Sequence, residues 1–200
     1  LRLYNTPVFY FPKFFHPDPS VDRKSGFLIP TFSDSKNLGA SVNIPYFHVI
    51  SESSDLTFKP RFFSTSEYLL QSEFRKETKN SSHIADFSIN KDEDKNGTKT
   101  HFFSNSVFNL DQNFFDNSKI NFKLEKVSND DFTKIYSLES TSPIIKDTNI
   151  LENVFEFSGS RDDLEFNLSF ESYESMNKLN SDKYEFVYPN YSLSKAIDLE

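Results

Sequence analysis

The chain has 200 residues, room for one or two domains with a substantial core, and its 24 phenylalanines and 9 tyrosines separate it from disordered chains, which are poor in aromatics. A formal charge of −8, with no basic run long enough to track a phosphate backbone, argues against nucleic acid as a partner. With no cysteine there is neither a disulfide framework nor a thiolate nucleophile.

Leu1 to Phe11 alternates roughly and reads as a terminal strand that stops at Pro12. Five prolines (Pro7, Pro12, Pro17, Pro19 and Pro30) crowd the first thirty residues, so this stretch is neither helix nor central strand. Lys13 to Lys24 is a polar linker. Ser25 to Ser33 predicts a strand interrupted by Pro30, and Leu38 to Ile44 a second one stopped by Pro45. Each proline removes a ladder donor and weakens the pairing.

Beyond Pro45 the period of two becomes clean. Leu56, Phe58 and Phe62 fall opposite Thr57, Lys59 and Arg61, with Pro60 an irregularity. Leu70, Ser72 and Phe74 alternate with Gln71, Glu73 and Arg75, and Ala85, Phe87 and Ile89 alternate with Asp86 and Ser88. Lys91 to Gly97 reads as a solvated loop. Phe102 to Leu110 is a strand with blurred segregation, and Ile120, Phe122 and Leu124 alternate without exception. Ser128 to Tyr136 offers Ser and Asn caps followed by acids, one short helical turn in a long loop. Asn153 to Ser158 and Leu164 to Tyr173 predict a hairpin around Gly159 to Asp163, and Lys183 to Tyr188 a last strand ended by Pro189. The sum is nine or ten antiparallel strands in up-and-down order.

An apolar face opposite a polar one fits two situations: a soluble sandwich that buries the apolar face, or a membrane barrel that turns it to lipid around a polar lumen. No run approaches the ~20 apolar residues of a membrane helix, but a membrane strand needs only about ten with alternate ones apolar. Ionisable residues sharing strand faces (Lys59 and Arg61, Glu73 and Arg75) lean towards the barrel. Catalytic and metal readings find little support. His16, His48, His83 and His101 are scattered and suit surface or interface positions, while Asp130-Asp131 and Asp162-Asp163 suit turns. No phosphate loop or nucleophile elbow is present. Enzymatic activity and cofactors are not expected.

Residues 7–12 (Pro-Val-Phe-Tyr-Phe-Pro), 15–19 (Phe-His-Pro-Asp-Pro) and 23–30 (Arg-Lys-Ser-Gly-Phe-Leu-Ile-Pro) closely resemble the domain junction in the LptD family of LPS-assembly proteins. The similarity continues through Leu38-Gly39, Ile44 to Tyr46, Asp55 to Phe63 and Glu73 to Arg75, and further on through Val127 to Phe132 and Tyr184 to Tyr191. The resemblance implies an all-β chain from a transporter. Residues 1–11 would end a periplasmic β-jellyroll, 12–24 would form a hinge carrying Pro12, Pro17 and Pro19, and 25–200 would begin a large outer-membrane β-barrel, incomplete and open in this piece. It implies a lateral gate around Gly26, Phe27, Pro30 and Pro45 and a polar lumen lined by Lys59, Arg61, Glu73 and Arg75. Its partners would be lipopolysaccharide, outer-membrane lipids, an LptE-type plug lipoprotein and an LptA-type periplasmic bridge. The chain opens at Leu1 with no leader, as an internal piece of a longer protein would. The rival is a soluble or surface-exposed β-sandwich that binds carbohydrate through Phe and Tyr platforms.

Overall fold

Alternating side chains on β-branched and aromatic-rich runs commit most of the chain to strands. The computed structural model describes residues 23–36, 38–92, 97–145, 147–178 and 182–196, with the backbone of 2–3 and 6–7. At the start, Arg2–Leu3 (β1) and Thr6–Pro7 (β2) pair antiparallel, in place of one strand over Leu1 to Phe11.

The rest of the strands form one antiparallel sheet. In chain order they are β3 (Gly26–Phe27), β4 (Thr31–Ser35), β5 (Gly39–Asn43), β6 (Tyr46–Ser51), β7 (Ser54–Phe63), β8 (Tyr68–Glu77), β9 (Ser81–Asp92), β10 (Gly97–Leu110), β11 (Asn117–Val127), β12 (Ile150–Arg161), β13 (Leu164–Ser175) and β14 (Tyr184–Lys195). From β7 to β14 each strand pairs with the next one in sequence. β5 and β6 both pair with β7, and β3 and β4 pair with β6 and β5 respectively. The first two courses of the sheet are therefore each cut into two pieces. Counted as courses, the sheet has the up-and-down order that the alternation predicts, and it does not close on itself.

Three boundaries differ from the sequence reading. β6 was not anticipated, because Pro45 interrupts the second course without ending it. The ladders of β9 and β10 run into the expected loop over Lys91 to Gly97 from both sides. Pro189 does not end the last strand: β14 runs on to Lys195, and a register shift opposite Ser169 and Glu171 absorbs the missing donor. A bulge is one of the places where a sheet tolerates proline.

Short turns join β6 to β7, β8 to β9 and β12 to β13 at one end of the sheet. The opposite end carries the long connection from β11 to β12. It folds back over one sheet face, here the inner face, and contains α1 (Phe132–Ile135) and a 3-10 turn (Leu138–Ser140). Phe132 and Leu138 are 0% exposed and, with Tyr136 and Ile145, pack against Leu38, Phe63, Leu69, Phe103 and Leu151. This cluster is the apolar core. Elsewhere the large apolar side chains, among them Phe58, Phe62, Phe87, Phe122, Phe155 and Phe170, stand exposed on the other face.

Candidate functional site

Two features meet at the start of the sheet: a broken seam and the loop seated above it. The seam follows from proline chemistry. In an antiparallel ladder, a hydrogen-bonded pair exchanges two N–H···O bonds. The Leu28 N–H donates to the Pro45 carbonyl at 2.8 Å, and Pro45 has no N–H to return the bond. One step further in, the Ile44 N–H donates to the Pro60 carbonyl at 3.0 Å, and Pro60 likewise cannot answer. The register of the second course against β7 is the same on both sides of Pro45. The first course slips: the four steps from Phe27 to Thr31 face only three from Asn43 to Tyr46, so one extra residue bulges out around Pro30. Ile29 and Phe32 beside it are 85% and 82% exposed.

Gly26 and Phe27 thus form the short β3, Pro30 lies in the bulge, and Pro45 sits at the break between β5 and β6. Pro12, Pro17 and Pro19 lie outside the described residues. Pro60, read from the sequence only as an irregularity, adds a third missing donor beside the two anticipated.

Lys59, Arg61, Glu73 and Arg75 share the inner face, as their alternation requires. Lys59 Nζ bonds Glu73 Oε2 at 2.6 Å and donates to the Thr141 carbonyl of the loop at 2.8 Å. Arg75 Nε lies 3.0 Å from Asp55 Oδ1 and 3.4 Å from Glu73 Oε1. Arg23 also pairs with Asp55, tying the segment before β3 to β7. Arg61 differs from these cations: among the described residues it has no carboxylate partner. Its Nε donates to Ser41 Oγ at 3.1 Å, Nη2 to Ser33 Oγ at 2.7 Å and Nη1 to the Tyr136 carbonyl at 2.9 Å. Ser33 and Ser41 are themselves hydrogen-bonded at 2.8 Å.

Deeper under the loop lies a polar group the sequence did not single out. Gln71 donates to both oxygens of Asp86 at 3.0 and 2.9 Å and accepts from the Thr141 hydroxyl at 2.8 Å. Ser88 Oγ lies 2.5 Å from His101 Nδ1, and the His101 ring packs on Phe103 and Phe132. His101 is thus a core histidine rather than the surface group its sequence context suggests. Asp86, Ser88 and His101 are sealed by the loop, and this burial keeps any substrate from the trio. The inner face is built to hold polar groups, and the described residues hold no group of His, Cys, Asp and Glu that could bind a metal ion.

A stretch of 75 residues, 38% of the chain, is 44% identical to the LPS-assembly protein LptD of Shewanella frigidimarina. The stretch is LptD-like. Similar matches are found with LptD of Pseudoalteromonas translucida at 43% and of Nitrosococcus oceani at 39%, over the same share of the chain. The LptD-like stretch spans 10% of the length of each of these relatives. No family model matches the chain.

Proposed function

We propose that this chain is the beginning of the barrel of an outer-membrane LPS-assembly protein, and that its first two courses form the seam through which lipopolysaccharide passes into the outer leaflet. Three prolines within two adjacent seams carry this reading. A net hydrogen bond contributes about 0.5–1.5 kcal/mol, so two adjacent seams that lack the return bonds of Pro45 and Pro60 and lose register at Pro30 open at lower cost than their neighbours without losing closure. The exposed phenylalanines form the lipid-facing surface, and the inner face, with Lys59, Arg61, Glu73 and Arg75, lines the route of the sugars. The short-turn end lies in the periplasm with the hinge and the jellyroll, where an LptA-type bridge delivers cargo, and the long loop lies at the cell surface. An LptE-type lipoprotein fills the remaining lumen. The protein carries cargo and catalyses no reaction.

The sandwich alternative is not favoured, because β3 to β14 build one large sheet and, among the described residues, no second sheet of comparable size is there to cover its apolar face. Among the described residues, the side-chain oxygens of Asn43, Asn105 and Asn121 on the inner face have no protein partner, a pattern that a hydrated lumen tolerates and a dry core does not.

The test is Pro30→Ala with Pro45→Ala in the full-length protein, read as lipopolysaccharide reaching the cell surface. Restored donors tighten the seam and slow export. Unchanged export, at unchanged protein level, contradicts the reading.

A further inference from the structure

We infer that Arg61 couples the seating of the β11–β12 loop to the closure of the first seam, so that cargo which lifts the loop also loosens the exit. The inference rests on the proposed function for its purpose, and on geometry for its content. One guanidinium spends its donors on three separate elements: Ser33 on β4, Ser41 on β5 and the Tyr136 carbonyl at the end of α1. Its plane also lies over the Phe63 ring, 5.0 Å from the centroid, and Phe63 packs on Tyr136. Moving β4 away breaks the bond to Ser33. Lifting the loop breaks the bond to Tyr136 and removes the ring that backs Phe63.

The partners of Arg61 give this arrangement its switching character. Lys59 and Arg75 are held by carboxylates, and charged pairs on a partly buried face hold firmly. Arg61 is held by two hydroxyls and one carbonyl, neutral acceptors that hydroxyls and phosphates of a passing glycolipid can replace. A planar fork of fixed donors holds its best geometry for all three acceptors only while the three elements stay in place. The loop and the seam are thus two local equilibria joined through one residue, and each biases the other by the same factor.

Lys59 is the internal contrast. It also reaches the loop, through Thr141, but its other partner is Glu73 on β8, away from the seam. Loss of Lys59 frees the loop alone, whereas loss of Arg61 frees both.

Amide hydrogen exchange on the full-length protein in detergent measures both equilibria at once. The loop is read at the amides of Ile135, Tyr136, Thr141 and Ser142, which are hydrogen-bonded within it. The seam is locked by a disulfide between Asp34→Cys and Ala40→Cys, directly opposite partners on β4 and β5 that lie outside the Arg61 contacts. Locking the seam should slow loop exchange by roughly tenfold, the scale of one charge-assisted hydrogen bond. In an Arg61→Ala background the lock should leave the loop unaffected, and loop and seam should both exchange faster than in the parent. Ser33→Ala removes the β4 contact of Arg61, together with the Ser33–Ser41 hydroxyl bond across a seam that the lock holds shut, and should also abolish the effect of the lock, which keeps the test decisive if Arg61→Ala folds poorly. Lys59→Ala should speed loop exchange while the lock still acts. A lock without effect on the loop in the parent protein, or with the same effect in Ser33→Ala and Arg61→Ala, overturns the coupling. Export is scored separately: a locked seam that still exports normally overturns the gate and not the coupling.

Discussion

The seam at the start of the sheet and the hairpin near its end are built from the same kind of sequence, yet their ladders differ. Every residue of β12 has a partner on β13, from Ile150 opposite Ser175 to Arg161 opposite Leu164. The first course manages two pairs through β3 and five through β4, with a slip between them. Prolines make the difference. Pro45 and Pro60 leave unanswered bonds at neighbouring positions of two adjacent seams and Pro30 sits where the first course loses register, whereas Pro189 on β14 is taken up by a bulge within a ladder that is otherwise regular on both sides. Where a proline sits in the ladder, rather than how many there are, sets how weak a sheet becomes.

Several substitutions would break or sharpen this contrast. The largest effect is expected at the loop that covers the seam. Phe132→Ala removes a side chain with no exposure and should weaken loop seating by about 3–5 kcal/mol. Limited proteolysis within 128–149 would then accelerate while the β12–β13 hairpin stayed intact. Next comes Gly39, which begins β5 with φ +67°; an added Cβ would collide with Ser64 Oγ. Gly39→Ala should cost about 1–2 kcal/mol from the left-handed backbone alone, with the displacement of Ser64 in addition, and should lower the temperature of heat-modifiable mobility. Pro189→Ala, by contrast, should change stability by less than about 0.5 kcal/mol, since its bulge already lies outside the regular pairing.

The smallest effect concerns the loops. Lys183, between β13 and β14, bonds Asp130 at 3.0 Å and Glu174 at 3.1 Å, and these carboxylates, Asp130 foremost, hold its ammonium above the usual lysine range. A raised lysine stabilises the folded loops fully below its unfolded pKa of about 10.4 and ceases to as pH rises past the folded value. Loop protease resistance should therefore fall only in strongly alkaline buffer, and Lys183→Met should remove that pH dependence.

Much of the fold was legible in the sequence because a period of two is a strong signal where one face is apolar throughout. It blurred at β10 for a specific reason: Phe103 faces inward beneath Phe132, so the inner face carries apolar side chains where the loop sits. The strand ends were harder to read. Pro45 and Pro189 look like stops, and only the neighbouring courses show that the ladder resumes beyond them. The inner-face cations could be picked out by alternation, but their division of labour could not. That Arg61 meets Ser33, Ser41 and Tyr136 depends on contacts across two strands and a loop far away in sequence, and no local pattern encodes them. His101 was misplaced for the same reason, since its burial comes from the returning loop.

The central claim is that the first two courses are the weak part of one continuous sheet. Hydrogen exchange across the full-length protein tests it directly, comparing amides of β4 and β5 with those of β12 and β13. Exchange at least tenfold faster in β4 and β5 is predicted, from two or more missing bonds at about 0.5–1.5 kcal/mol each. Equal protection in the two regions would contradict it.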